Sequence, residues 1–322
     1  MARGLNVEQW RDELVRAYKY GEEAHARALV MQPGPRKIRA LLESMLDDPD
    51  ALVRQAAAFG LGQLGGAASV RRLEQQLALE ETRGDYDGAS VVEAITQALG
   101  CLDEAGSRAA LVRRLRRLAP GKSVLSEVNP LARALWRYRH PELLPVVREA
   151  LDKLALSALN SLHGLLLLLE KSPEELRTWA QDMAVPVKHK TEVLTVLEEE
   201  VPDAWVPPLP AFISASQALL DNAVRQDGEA AYYCERLLSF FLSHKERLLP
   251  VLPEEARSEL CAVARRLLAA TSLNCSVRAA VLIGHVGAPE DAGLIKAHRP
   301  TEPVLAKVFD DAARALRSRQ KE

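Results

Sequence analysis

The residues of this chain best equipped for chemistry are the arginines between Arg108 and Arg148. That stretch of 41 residues holds ten Lys or Arg against two acids, Glu127 and Glu142, a surplus of +8 in a chain whose formal net charge is −2. Arg113, Arg114, Arg116 and Arg117 fall together, and Arg133, Arg137 and Arg139 follow in company with Trp136 and Tyr138. Planar guanidiniums beside aromatic rings suit carboxylates, phosphates or stacked bases. On a helical wheel Leu111, Leu115 and Leu118 group together, with the four neighbouring arginines spread over the opposite side, so this helix is expected to show an arginine face to solvent. The plainer reading of the same pattern is a charged face that keeps an Ala- and Leu-rich helix in solution.

Other candidate chemistry fails on spacing. Pro120-Gly121-Lys122-Ser123 has the end of a phosphate-binding loop, but Arg116 stands where the first glycine of that motif belongs and no strand precedes it. Asp85-Tyr86-Asp87-Gly88 has the look of a calcium loop, yet counting from Asp85 puts Ser90 at position six and Thr96 at position twelve. Glycine and a bidentate glutamate are needed there, so an interhelical loop is expected. Arg83-Gly84-Asp85 would be an adhesion triplet only in an extracellular setting. The seven histidines, His25, His140, His163, His189, His244, His285 and His298, include no pair at four-residue spacing, which leaves a helical metal site without a local anchor. The four cysteines, Cys101, Cys234, Cys261 and Cys275, show neither a CxxC pair nor a disulfide framework and are expected to be reduced core residues. No catalytic residue, metal ligand or cofactor site is therefore assigned.

The elements that would carry these side chains are helices. At 322 residues the chain exceeds one ordinary domain, and its alphabet, 48% apolar and 27% charged with 5% aromatic, is a helix-former's. β-branched runs of alternating polarity are hard to find. The apolar run Leu165–Leu169 is too short to span a bilayer and the first ten residues lack a signal-peptide pattern, so a cytoplasmic protein without membrane insertion is expected.

Val7, Trp10, Leu14 and Tyr18 open the chain as one apolar helix face behind an Asn6/Gln9 cap, and a second helix is expected from about Ile38 to Leu46. Asp48 and Pro49 then read as cap and first turn of a helix carrying Val53, Ala57, Leu61 and Leu64, crowded with Ala56, Ala58, Gly60 and Gly62. Gly65 and Gly66 end it, and Val70, Leu73 and Leu77 mark the next helix. The pattern recurs. A shift of 38 brings Ala98, Leu99, Gly100, Leu102, Leu111 and Leu115 into register. A shift of 74 brings Ala134, Leu135, Tyr138, Val147 and Leu151, with Trp136 in the glycine position, and a shift of 222 brings Ala279, Ala280, Ile283, Gly284, Val286, Gly287 and Ile295. Such a period belongs to stacked helix pairs.

The segment from Asp48 to Gly65, with its Asp-Pro, Val-Arg, Ala-Ala and Leu-Gly steps, resembles the HEAT repeats, especially the short bacterial form also found in phycobilisome lyases. The resemblance implies an all-α fold, a right-handed α-α superhelix or solenoid of HEAT-like helix hairpins. Between about Leu154 and Ser272 it fades, although Ser172-Pro173-Glu174-Glu175, Pro253-Glu254 and Pro289-Glu290 continue to punctuate helices. Four prolines between Val201 and Pro210 exclude regular helix there. The expected organisation is N-terminal capping helices in 1–47, HEAT-like repeats in 48–200, a proline-rich connection in 201–210 that separates two subdomains, and further repeats with a capping helix in 211–322.

A repeat array offers an extended surface free to vary while the stack persists. The first expectation is therefore a non-enzymatic scaffold or adaptor for an acidic protein partner, contacted through Arg113, Arg114, Arg116, Arg117, Arg133, Trp136, Arg137 and Arg139. Trp136 has a second reading, as a core residue in the place of the repeat's glycine. The resemblance implies two alternatives. One is nucleic-acid binding, as in the HEAT-like alkylpurine DNA glycosylases, which would need basic residues on several successive repeats. The other is a lyase or chaperone acting on a bilin.

Overall fold

A computed structural model describes residues 6–319 apart from 33, 103, 122–123, 156–158, 223–227 and 270–271. Lys122 and Ser123 of the phosphate-loop candidate lie outside the described residues. Helices account for nearly all regular structure and no strand occurs among the described residues. The chain forms two compact units, Met1–Leu162 and His163–Glu322.

The first unit contains α1 (Val7–Lys19), α2 (Glu23–Val30), α3 (Pro35–Met45), α4 (Ala51–Leu64), α5 (Gly66–Arg83), α6 (Tyr86–Gly100), α7 (Ala105–Arg117), α8 (Val124–Arg137) and α9 (Leu143–Leu154). Helix α4 packs on α6 and α6 on α8, while α5 packs on α7 and α7 on α9, so consecutive helices alternate between two layers. The small residues of the repeated motif make the first layer close. A Cβ on Gly62 would lie 3.0 Å from that of Ala98, and one on Gly100 would lie 2.9 Å from that of Ala134. The Asn6/Gln9 capping box is present, and Trp10 is buried with its indole N–H on the Leu29 carbonyl.

Asp48 and Pro49 precede α4 rather than opening it. The helix is capped by Asp50, whose carboxylate accepts the Leu52 N–H at 2.8 Å, while Asp48 accepts from the Asp50 N–H. Arg54 folds back to donate to the Asp48 and Pro49 carbonyls, at 2.9 Å each, and this fixes the turn. Likewise Asp85, read above as part of a loop, is the N-cap of α6 and accepts from the Gly88 N–H at 2.6 Å.

The second unit takes in α10 (Ser161–Glu170) from its third residue, then α11 (Pro173–Gln181), α12 (Val187–Leu197), α13 (Leu209–Asn222), α14 (Gly228–Ser243), α15 (Lys245–Leu248), α16 (Glu254–Leu267), α17 (Leu273–Val286), α18 (Asp291–Ala297) and α19 (Pro303–Arg319). Here α12, α14, α17 and α19 pack in succession, as do α11, α13 and α16. The proline-rich stretch 201–210 lies inside this unit and holds a short 3-10 turn, Asp203–Trp205, before α13 begins.

The two units repeat at different lengths. In the first, polar contacts between successive repeats join residues 35 to 39 apart: Arg11 to Asp48, Gln55 to Ser90, Arg113 to Glu74, and Tyr138 to the Leu99 carbonyl. In the second the spans are longer and less even: 38 for Arg236 to Glu198, and 43 to 46 for Ser243 to Glu198, His244 to the Glu198 carbonyl, Ser214 to Glu259 and Arg278 to Glu235. A shift near 37 residues therefore loses the pattern in the middle of the chain although stacking continues.

The cysteines divide. Cys234, Cys261 and Cys275 are buried, and burial pushes their thiols up to about 12, 11 and 11, whereas Cys101 is exposed at the end of α6 and does not belong to the core. Since the thiolate is the reactive form, native protein at pH 8 should react at one thiol with an aromatic disulfide reagent and at four once denatured. Rapid modification of more than one thiol before unfolding would contradict this burial.

Candidate functional site

The arginines of α7 are arranged by the repeat. Arg113 grips Glu74 of α5 with Nε and Nη2, at 2.8 and 2.9 Å, and Arg117 reaches Glu81 of α5 at 3.2 Å. Arg116 turns the other way, 4.0 Å from Glu149 of α9, and Lys153 of α9 donates to the Arg116 carbonyl. The side chains of Arg113, Arg116 and Arg117 remain 51%, 57% and 46% exposed. The α5–α7–α9 layer thus displays alternating guanidiniums and carboxylates, each pair spanning two repeats.

Two of the residues expected at this surface are not on it. Arg114 is 1% exposed, its guanidinium between Glu81 at 3.2 Å and Glu127 at 3.1 Å. Burial pulls its pKa below the ordinary value, against the opposite pull of the two carboxylates. The wheel placed Arg114 with its neighbours because it ignores α8, which covers that side of α7. Trp136 is fully buried and belongs to the core, with the Arg139 guanidinium 5.4 Å from its ring centre.

The other arginines form a second group. Arg133 lies on α8, 4.0 Å from Glu93 of α6, in the layer opposite that of the α7 arginines. Arg137 is half-buried near the end of α8, and Arg139, just beyond it, donates to the Trp136 carbonyl. The structure therefore brings Arg113, Arg116 and Arg117 together and does not join Arg133, Arg137 and Arg139 to them. The partners Glu74 and Glu81 went unassigned in the sequence, although each lies 36 to 39 residues before its arginine, one repeat away.

Among the described residues no group of three His, Cys, Asp or Glu could hold a metal ion, and no helix is long and apolar enough to cross a membrane.

Comparison with known proteins adds the following. Residues 38–66 match the HEAT repeat family model. No curated protein matches the chain. Among solved structures, human deoxyhypusine hydroxylase in complex with glycerol is similar at a TM-score of 0.36 and 15% identity, over 97% of this chain and 96% of that one. The CpcE–CpcF complex of phycocyanin lyase from Nostoc sp. PCC7120 is similar at 0.35 and 18%, over 89% and 97%. An engineered protein is similar at 0.31 and 16%, over 87% and 96%. The family match takes in α3 as well as α4, so the Asp48-Pro49 turn held by Arg54 is the middle of a repeat and not its start. The chain thus carries a HEAT repeat at residues 38–66, set within an all-α stack of helix hairpins.

Proposed function

We propose that the chain is a non-enzymatic interaction scaffold whose α5–α7–α9 face takes a protein partner presenting carboxylates. The observation that supports this is the trio Arg113, Arg116 and Arg117, half exposed on one helix and each steered by a glutamate of a neighbouring repeat. A guanidinium has five N–H donors in a fixed fork, so an ion pair along one edge leaves donors for a second acceptor. Arginines already held in place lose less rotamer freedom on binding than free ones would. Bonds from them to a partner carboxylate are charge-assisted and short.

The interleaved Glu74, Glu81 and Glu149 favour a protein over a nucleic acid, because an unbroken row of phosphates would meet those carboxylates as well as the arginines. The HEAT-like fold itself does not discriminate, since function resides in the surface carried by the stack.

Arg116→Glu is the discriminating variant, because its own ion pair is long and exposed and its loss should leave the fold intact. Affinity capture from nuclease-treated lysate of the source organism should recover a protein, and the purified protein should bind the variant at least ~10-fold more weakly at an unchanged melting temperature. Recovery of nucleic acid that nuclease abolishes would replace this reading with the second one.

A further inference from the structure

The second unit contains a cleft of about 670 Å³ between α15, one face of α16 and the turn after α17. Glu254, Arg257, Ser258, Cys261 and Arg265 line it from α16. Their spacing of three, four, seven and eleven residues is that of a single helix face, which borders the cleft. Leu249, Pro250 and Val286 give it an apolar floor.

The charges in the cleft are not equivalent. Arg265 is committed, with Nε and Nη2 on the two oxygens of Asp291 at 2.7 and 2.8 Å, and Asp291 also accepts the Ala288 N–H. Arg257 is half-buried, and its side chain makes no hydrogen bond or ion pair with any described residue. The other described arginines whose side chains lack a partner, Arg36, Arg71 and Arg317, are exposed, where water satisfies them. Every other described arginine that is half-buried or buried has a partner, as Arg39, Arg54, Arg114, Arg236 and Arg278 illustrate. Arg257 lines the cleft with a fork of N–H donors that no described residue accepts, so it is open to an acceptor from outside the chain. Lys245 lines the same cleft, with its ammonium 3.9 Å from Glu246, a carboxylate that is itself 88% exposed.

We propose that this cleft binds a peptide segment of a partner protein in which one carboxylate stands next to an apolar side chain. Arg257 and Lys245 take the carboxylate, the Ser258 hydroxyl adds a donor, and the apolar side chain lies on Leu249, Pro250 and Val286. Glu246 and Glu254 in the lining oppose a second negative charge, so polyanions are excluded and a single acid is selected. The site lies in the second unit and stands independently of the arginine face of the first.

The test uses the full-length chain on an array of capped octapeptides in a Gly-Ser background, carrying one Asp or Glu beside one apolar residue. Matched peptides carry Asn or Gln, phosphoserine, or two adjacent acids at the same position. Wild type should retain the single-acid peptides and bind the amide versions at least ~10-fold more weakly, and Arg257→Gln should lose the same preference at an unchanged melting temperature. Arg36→Gln, at an exposed arginine of α3 outside both sites, should behave as wild type here. The proposal is overturned if no peptide rises above background, if amide peptides bind equally, if Arg257→Gln retains the preference, or if phosphoserine or paired acids bind best.

Discussion

Replacing Arg54 by alanine should lower the unfolding free energy by roughly 3–5 kcal/mol, the cost of breaking a buried ion pair from one side. Arg54 is 1% exposed and joins three pieces of the first unit. Its Nε lies 2.8 Å from Glu80 of α5, and its Nη1 serves the two carbonyls of the Asp48-Pro49 turn. Glu80 is fully buried and keeps a donor in Gln76 at 2.7 Å and an ion-pair partner in Arg83 at 2.9 Å. Truncation therefore orphans the turn carbonyls and leaves a void where the guanidinium lay, while the carboxylate stays partly satisfied. The coupled replacement Arg54→Met/Glu80→Leu removes both desolvated charges and should cost less than Arg54→Ala alone. Urea unfolding of the two variants decides the matter. A double replacement at least as costly as Arg54→Ala would show that removing both charges together relieves nothing.

Gly164→Ala is expected to destabilise the second unit by roughly 2–3 kcal/mol through overpacking. A Cβ at that position would lie 2.4 Å from the Glu192 carbonyl oxygen and 2.7 Å from its carbon. The obstacle is the backbone of α12, which unlike a side-chain tip can yield only by moving the helix. Gly293→Ala in α18 is the control, since an added methyl meets nothing within 4 Å. By helix propensity alone it should stabilise by about 0.8 kcal/mol. Thermal melts of the two variants should move in opposite directions, and parallel shifts would refute the close approach of α10 and α12.

These two sites differ in how far the sequence exposed them. Asp48-Pro49 and Arg54 belong to the stretch that resembles the HEAT repeat, so their importance was visible, although the cap moved two residues to Asp50 once the turn could be seen. Gly62, Gly100 and Gly284 were visible as a repeated small position, and each meets an alanine on the next helix of its layer at about 3 Å. Gly164 does the same work and was not found. Its helix is a run of leucines without the flanking Asp-Pro and Val-Arg signals, and the backbone it meets, at Glu192, lies well short of one 37-residue period away.

The sequence by itself determined the class of structure and its rhythm. Helix spacing, caps and breakers are local properties that act within a few residues, so the all-α stack, the Asn6 and Ser172 caps and the start of α19 could all be read from the chain. Tertiary structure alone decided the fate of each charge. Arg113, Arg114, Arg116 and Arg117 are nearly contiguous, yet one is buried between two glutamates and the others remain half exposed, because their environment comes from helices a repeat away. The same holds for Arg257, which nothing in its neighbourhood along the chain distinguishes from Arg265, about two turns later, the difference being settled by where Asp291 sits. Whether a guanidinium holds the stack together or is left to meet a partner depends on contacts across tens of residues, and such contacts have no periodicity to betray them.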